Sequence, residues 1–154
     1  MKHSFILFLS LLLVACSGAN GTDNVPGNTN DKRPYDGIAA DEVIQFAGSN
    51  WRGEVSGGTP DVQGKLVLMT PDDLLDKLPG ERVDVTRFAG RGGLSYSGEL
   101  SSGPFTLVIT PGDCSDGMSD RGYPFVATMQ LSEDSTIFGC AWTERQPFTG
   151  PEAP

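Results

Sequence analysis

Three aspartates and a cysteine are clustered around the stretch CSDGMSDR, and they are the residues of this chain best suited to chemistry. Asp113 precedes the stretch, Cys114 begins it, and Asp116 and Asp120 lie within it. Two carboxylates can hydrolyse a glycosidic bond when they lie about 5 to 9.5 Å apart. Clustered carboxylate oxygens can also bind calcium. We call residues 114–121 the acidic loop.

The same residue types are typical of a tightly turned structural loop. Asp and Ser side chains accept hydrogen bonds from nearby backbone N–H groups, and Gly117 can adopt dihedral angles that other residues avoid. The calcium pattern D-x-[DN]-x-[DN]-G is not matched, because counting from Asp113 places Ser115 at its third position. A catalytic acid usually needs a desolvated pocket, whereas such a loop is normally hydrated. We therefore expect the acidic loop to be a structural latch, that is, a tight turn held by its own hydrogen bonds, without catalytic residues or a metal.

The first fifteen residues are typical of an export signal. Lys2 and His3 are followed by SFILFLSLLLVA, which is shorter than the ~20 residues of a membrane-spanning helix. The run ends in LVAC, which resembles the lipobox of bacterial lipoproteins, where the cysteine is acylated and becomes the first mature residue. This resemblance implies a lipid anchor on Cys16. Because Ser17 is not Asp, it also implies the outer membrane in a Gram-negative source.

Removal of the export signal, here called the leader, limits the histidine and cysteine chemistry that is possible in the mature chain. The only histidine, His3, lies in the leader, so Ser-His-Asp, Cys-His and imidazole-ligated metal sites are excluded. Acylation of Cys16 leaves Cys114 and Cys140 in a compartment where disulfides persist. We predict that these two cysteines are bonded, and we expect no cofactor.

The charge of the chain limits its partners. The formal net charge is −9, and removal of the leader with Lys2 makes it −10. Nucleic acid is therefore not an expected partner, because phosphate binding needs a basic face. A protein or glycan partner is compatible with this charge, and so is a cationic enzyme such as lysozyme that the protein would inhibit.

The chain divides into an anchor region, a domain and a tail. Residues 16–37 form the lipidated cysteine and a Gly-, Asn- and Asp-rich linker that we expect to be flexible. Residues 38–149 form the domain, and residues 150–154 a loose tail. The domain contains eight short runs with β-strand character: EVIQFAG, WRGEV, KLVLMT, RVDVTRF, GLSYSGEL, PFTLVIT, FVATMQL and STIFGCAW. They predict an all-β, antiparallel barrel of about eight strands.

One short helix or ordered loop is predicted over residues 71–78, within TPDDLLDKLPG. Thr70 and Asp73 form a T-x-x-D capping box, and Pro71 suits the first helical position. We expect Leu74, Leu75 and Leu78 to plug one end of the barrel.

Aromatic residues complete the candidate binding surface. Trp51, Tyr123 and Trp142 lie in or beside strand-like runs, where aromatic side chains usually pack in the core. Trp51 and Tyr123 could instead line a barrel mouth. The candidate binding residues are Asp116, Asp120, Arg121, Trp51 and Tyr123.

The segments GSNWRGEV, TPDD, LSYSGELSSGPFTLVITPGDCSDGMSDRGYPFVATMQL and IFGCA resemble, in this order, an uncharacterised family of bacterial membrane-attached proteins and lipoproteins. The family signature runs from C-S-D-G-M-S-D-R through Y-P-F to G-C-A. The resemblance implies an envelope domain, sometimes found beside META-type or lysozyme-inhibitor-like β domains, without an established activity or cofactor.

Two classes of function follow. The first is a non-catalytic envelope lipoprotein whose barrel binds a partner or supports envelope integrity. The second is a carboxylate-based hydrolase of cell-wall glycans. Two carboxylates converging in a cleft would favour the hydrolase, whereas Asp116 and Asp120 bonded to the backbone of their own loop would favour the first class.

Overall fold

The structure, a computed structural model, describes residues 32–151. The predicted signal peptide, Cys16 and most of the predicted linker lie outside the described residues. Eight antiparallel strands form a closed barrel in which each strand pairs with the next and the last pairs with the first, which confirms the predicted fold. The strands are β1 (Ile44–Ala47), β2 (Arg52–Ser56), β3 (Gly64–Met69), β4 (Glu81–Ala89), β5 (Leu94–Leu100), β6 (Gly103–Cys114), β7 (Tyr123–Ser132) and β8 (Ser135–Thr143).

The barrel is filled by the apolar side chains that alternate along its strands. Tyr96 of β5 pairs with Leu107 of β6, which pairs with Met129 of β7, and all three are at most 1% exposed. Because successive strand residues point to opposite faces, their neighbours Ser97 and Thr106 lie on the outer wall. The alternation of apolar and polar residues along the strands therefore explains which side chains form the core.

The connections between antiparallel strands alternate between the two ends of the barrel. We call the end that carries the β1–β2, β3–β4, β5–β6 and β7–β8 connections the helix end. The opposite end carries the other connections, including the acidic loop between β6 and β7, and also both chain termini of the described part. We call it the terminal end.

The predicted helix, α1 (Pro71–Asp76), lies at the helix end. The Thr70 side chain accepts a hydrogen bond from the backbone of Asp73, and the Asp73 side chain accepts one from the backbone of Thr70. This reciprocal pair is the predicted capping box. Lys77 ends the helix with a φ of 56°, in the left-handed region.

The prediction that the helix leucines plug the barrel is wrong. No residue of α1 is buried, and Leu75 and Leu78 are 80% and 50% exposed. The interior at this end is already filled by side chains such as Leu100 and Trp51, each 5% exposed. The helix therefore projects from the barrel instead of closing it.

The residues before β1 close the terminal end. The Tyr35 N–H donates to the carbonyl of Gly90 at 2.7 Å, and Arg87 Nη2 donates to the carbonyl of Ile38 at 2.7 Å. Ile38 is 1% exposed and belongs to the core. Tyr35, which lies within the predicted linker, also packs against the core.

Candidate functional site

The terminal end gathers four of the five candidate binding residues. Asp116, Asp120 and Arg121 lie in the connection between β6 and β7, and Tyr123 begins β7. Trp51 lies in the β1–β2 connection, at the opposite end of the barrel. The five residues therefore do not form one surface.

The Asp116 carboxylate is the centre of the acidic loop. Its Oδ1 accepts hydrogen bonds from the backbone N–H groups of Met118 at 3.0 Å and Ser119 at 2.9 Å. Its Oδ2 accepts from the hydroxyl of Ser119 at 2.8 Å and from the hydroxyl of Tyr123 at 3.2 Å. Gly117 permits the turn with a φ of 68°, which residues with a side chain rarely adopt. One carboxylate thus organises the loop around itself.

These hydrogen bonds favour the ionised carboxylate. The backbone N–H of Met118, followed by that of Ser119, lowers the pKa of Asp116 from its ordinary 3.8 to about 2, against a small opposing effect of burial. A carboxyl group with this pKa holds no proton to donate near neutral pH. The geometry and charge of Asp116 therefore suit a loop-building role better than that of a general acid.

The disulfide between Cys114 and Cys140 fixes the start of the acidic loop, as predicted. It links the last residue of β6 to β8, with 5.6 Å between the Cα atoms. Cys114 pairs with Tyr123, and Cys140 pairs with Val126, both on β7. The bond therefore crosses β7, the strand between them, close to the loop.

The C-terminal segment, residues 146–151, packs against the end of the acidic loop and the start of β7. The ring of Phe148 lies 5.7 Å from that of Tyr123 and 5.9 Å from that of Trp142, centroid to centroid. The Tyr123 and Trp142 rings are themselves 5.4 Å apart. The guanidinium group of Arg121 lies over the Phe148 ring, with its Cζ 4.2 Å from the ring centroid. We call Arg121, Tyr123, Trp142 and Phe148 the aromatic clasp.

Backbone hydrogen bonds hold the same segment in place. Gly122 and Thr149 exchange two N–H to carbonyl bonds at 3.1 and 2.8 Å. Arg121 Nε donates to the carbonyl of Pro151 at 2.9 Å. The attachment thus continues into the first residues of the predicted loose tail, 150–154, whose last three residues lie outside the described part. Because the sequence pattern is loop-like, only the apolar Phe148 hinted at this packing.

Glu42 and Arg145 form a second polar contact that sequence reasoning missed. Arg145 Nη2 donates to Oε2 of Glu42 in a salt bridge, and the Glu42 side chain is 8% exposed. This hydrogen bond is the main reason that the pKa of Glu42 is lowered from 4.5 to about 2, while burial acts in the opposite direction. The pair ties the residues before β1 to the chain after β8, so it also closes the terminal end.

Trp51 and Asp120 differ from the residues of the clasp. Trp51 is 5% exposed; its ring packs 5.4 Å from that of Phe46, and its Nε1 donates to the carbonyl of Phe138 at 3.4 Å. Asp120 is exposed. Of the five candidates, Trp51 is part of the core, whereas Asp120 is available to solvent.

Two further observations concern the described part of the chain only. Within residues 32–151, no three acidic, histidine or cysteine side chains lie together as a metal ion would require. No helix in this range has both the length and the apolar character to cross a membrane.

Comparisons of this chain with protein-family models, with curated proteins and with solved structures found no match.

Proposed function

We propose that this protein is a bacterial envelope lipoprotein, anchored by acylated Cys16 to the outer membrane, whose barrel is a non-catalytic binding module. The anchor is supported by the sequence LVAC after a short apolar run. One acyl chain gives marginal membrane attachment and two or more give stable attachment. The partner would be a protein or a glycan of the envelope.

The observation that carries the non-catalytic role is the use of Asp116 within its own loop. Its carboxylate accepts four hydrogen bonds, all from residues 118–123. A carboxylate that is engaged in this way and ionised near neutral pH is not prepared to protonate a leaving group. We infer that the acidic loop is a latch, fastened by the disulfide and the aromatic clasp.

The latch also supports a binding role, because it presents side chains on a rigid base. Met118 at the turn is 66% exposed, and Asp120 is exposed beside it. Preorganised surfaces bind with a smaller loss of conformational entropy than mobile loops. Asp120 and Met118 are therefore the positions of the acidic loop at which a partner would be contacted.

Fractionation of cells tests the anchor. Wild-type protein is expected in the outer-membrane fraction, and the Cys16→Ser variant in the soluble envelope fraction or unprocessed. Ser17→Ala is the matched control and should remain in the membrane fraction. Equal membrane association of wild type and Cys16→Ser would contradict the proposed anchor.

Digestion of purified peptidoglycan tests the non-catalytic role. Wild-type protein is expected to release no more soluble fragments than buffer. Release that Asp116→Asn abolishes, while Asp61→Asn, an exposed acid outside the acidic loop, retains it, would establish the hydrolase instead.

A further inference from the structure

Helix α1 is a defined structure that contributes nothing to the core. Its capping box, between Thr70 and Asp73, and a hydrogen bond from the Leu78 N–H to the carbonyl of Asp73 at 2.8 Å fix its shape. A helix of this length is marginal in isolation, so these local bonds are what maintain it. They hold Leu75 and Leu78 toward solvent, at 80% and 50% exposure. Leu75 on the helix and Leu78 just after it thus form an apolar face that nothing within residues 32–151 covers.

Acidic side chains share the helix end with this apolar face, and Asp72 and Asp76 belong to the helix itself. Five exposed carboxylates lie at the helix end: Asp72, Asp76, Glu99, Glu133 and Asp134. The ion pairs formed among residues 32–151, Lys65–Asp84 and Glu42–Arg145, include none of the five.

The helix end remains negative when its other charges are counted. Asp73 and Glu81 are also acidic, but they are engaged, Asp73 in the capping box and Glu81 with Ser101. Three cationic residues share this end: Arg52, Lys77 and Arg82. Seven acids therefore face three bases at one end of a narrow barrel. The resulting negative electrostatic potential attracts cationic surfaces and repels anionic lipid and nucleic acid.

We propose that the helix end docks a basic protein segment, with Leu75 and Leu78 contacting its apolar side chains and the carboxylates attracting its cationic ones. This inference rests on the proposed role as a binding module and assigns its partner class. It adds a second contact surface, at the helix end, to the positions of the acidic loop. Charge complementarity selects this occupant, because an apolar face at an acidic end of the barrel favours partners that are both basic and apolar.

Binding to two synthetic peptides tests the proposal. One peptide is an amphipathic repeat of Lys and Leu, and the other replaces each Leu by Ser at the same length and charge. The protein is the complete mature chain with Cys16→Ser, and affinity is measured by fluorescence anisotropy at two salt concentrations. The Lys–Leu peptide should bind at least about tenfold more tightly, because only it offers apolar area to the leucines. Equal affinities, or no saturable binding, would overturn the proposal.

Paired variants locate the contact. Leu75→Ser with Leu78→Ser should weaken Lys–Leu binding about tenfold, whereas Phe88→Ser, an exposed apolar control on the outer wall, should not. Asp72→Asn with Asp76→Asn should weaken binding about threefold and reduce its salt dependence. Asp41→Asn with Asp61→Asn, two exposed positions, removes the same charge at the terminal end and should change affinity less. A larger effect of this control pair would overturn the location.

The peptide-binding test can fail without the tests of the proposed function failing. If the peptides fail to bind while Cys16 anchors the protein and peptidoglycan is not digested, the docking surface is wrong and the lipoprotein role stands. Binding to anionic lipid vesicles that exceeds binding to the Lys–Leu peptide would also overturn the docking proposal.

Discussion

At the scale of one residue, the hydrogen bonds of Asp116 explain the structural role of the acidic loop. Its two carboxylate oxygens accept bonds from two backbone amides and two hydroxyls. Hydrogen bonds to an ionised acceptor are stronger than those to a neutral one. The residue therefore fixes both the turn after it and the buried start of β7, where Tyr123 lies.

Substitution of Asp116 by Asn tests this role. The amide retains one acceptor oxygen for the backbone amides, but its NH₂ group cannot accept from the hydroxyls of Ser119 and Tyr123. We expect unfolding free energy to fall by about 1 kcal/mol, less than for a buried site because solvent compensates in part. Urea unfolding measures this change, with Asp120→Asn as the matched control, expected within about 0.5 kcal/mol of wild type. A loss no larger than that of Asp120→Asn would contradict the role.

The aromatic clasp operates at the scale of elements, because it joins the acidic loop, β8 and the C-terminal segment. Phe148 lies between Arg121 and the Tyr123–Trp142 pair. Aromatic pairs at these distances contribute beyond the area that they bury. Phe148 therefore ties residues 146–151 to the rest of the described domain.

Removal of the Phe148 ring should release the C-terminal segment. We expect Phe148→Ala to lower the unfolding free energy by about 1 to 2 kcal/mol, below the value for a fully buried Phe because this ring is half-buried. The intrinsic fluorescence should also change, since Trp142 loses its cover. Phe88→Ala, at 68% exposure, is the control. An unchanged emission spectrum and stability would show that the segment does not pack there.

The disulfide between Cys114 and Cys140 joins β6 to β8 covalently at the same end of the barrel as the aromatic clasp. It closes a chain segment with a sequence separation of 26 residues, which on the chain-entropy model corresponds to roughly 3.5 kcal/mol. We expect the double variant Cys114→Ala, Cys140→Ala to lose about this amount in thermal or urea unfolding, and the wild type under reducing conditions to lose a similar amount. A reductant that left wild-type stability unchanged would contradict the contribution of the bond.

At the scale of the whole molecule, the salt bridge of Glu42 makes the stability of the folded protein depend on pH. Its pKa is lowered from 4.5 to about 2, so the folded state favours the ionised form. Its contribution is complete above the ordinary pKa and is lost as the pH falls toward the folded one. Wild-type stability should therefore decrease between about pH 4.5 and 2.

Glu42→Gln should lower stability at neutral pH and flatten this acid-dependent decrease. Thermal unfolding across this pH range measures both effects. Glu144→Gln, an exposed neighbour, is the matched control and should reproduce the wild-type profile. A profile of Glu42→Gln parallel to that of wild type would contradict the assignment to Glu42.

The sequence predicts the barrel well, because strand alternation and helix capping are local patterns. Leu94, Tyr96 and Leu100 lie an even number of residues apart, on one face of β5, and are all buried, and the Thr70–Asp73 box forms as expected. The contacts that close the terminal end were not predictable, because Tyr35 and Phe148 meet partners far along the chain. Leu75 illustrates the converse. Its apolar character predicts burial, but only the packed structure shows that Trp51 and strand residues already fill that end.

The sequence predicts the structural role of the acidic loop, but not the separate roles of the residues within it. Asp116 and Arg121 were identified from the acidic loop and Tyr123 from the aromatic residues, and the structure places them together. The division between structural residues and exposed Asp120 depends on hydrogen bonds that three-dimensional structure alone supplies.

The most direct test of the central claim, that the acidic loop is a structural latch, is a carboxyl ¹³C NMR titration of Asp116 in the folded protein. The latch predicts a midpoint near pH 2, as set by the hydrogen bonds to its carboxylate. A midpoint at or above the ordinary value of 3.8 would mean that these bonds do not hold the ionised form, and would contradict the latch.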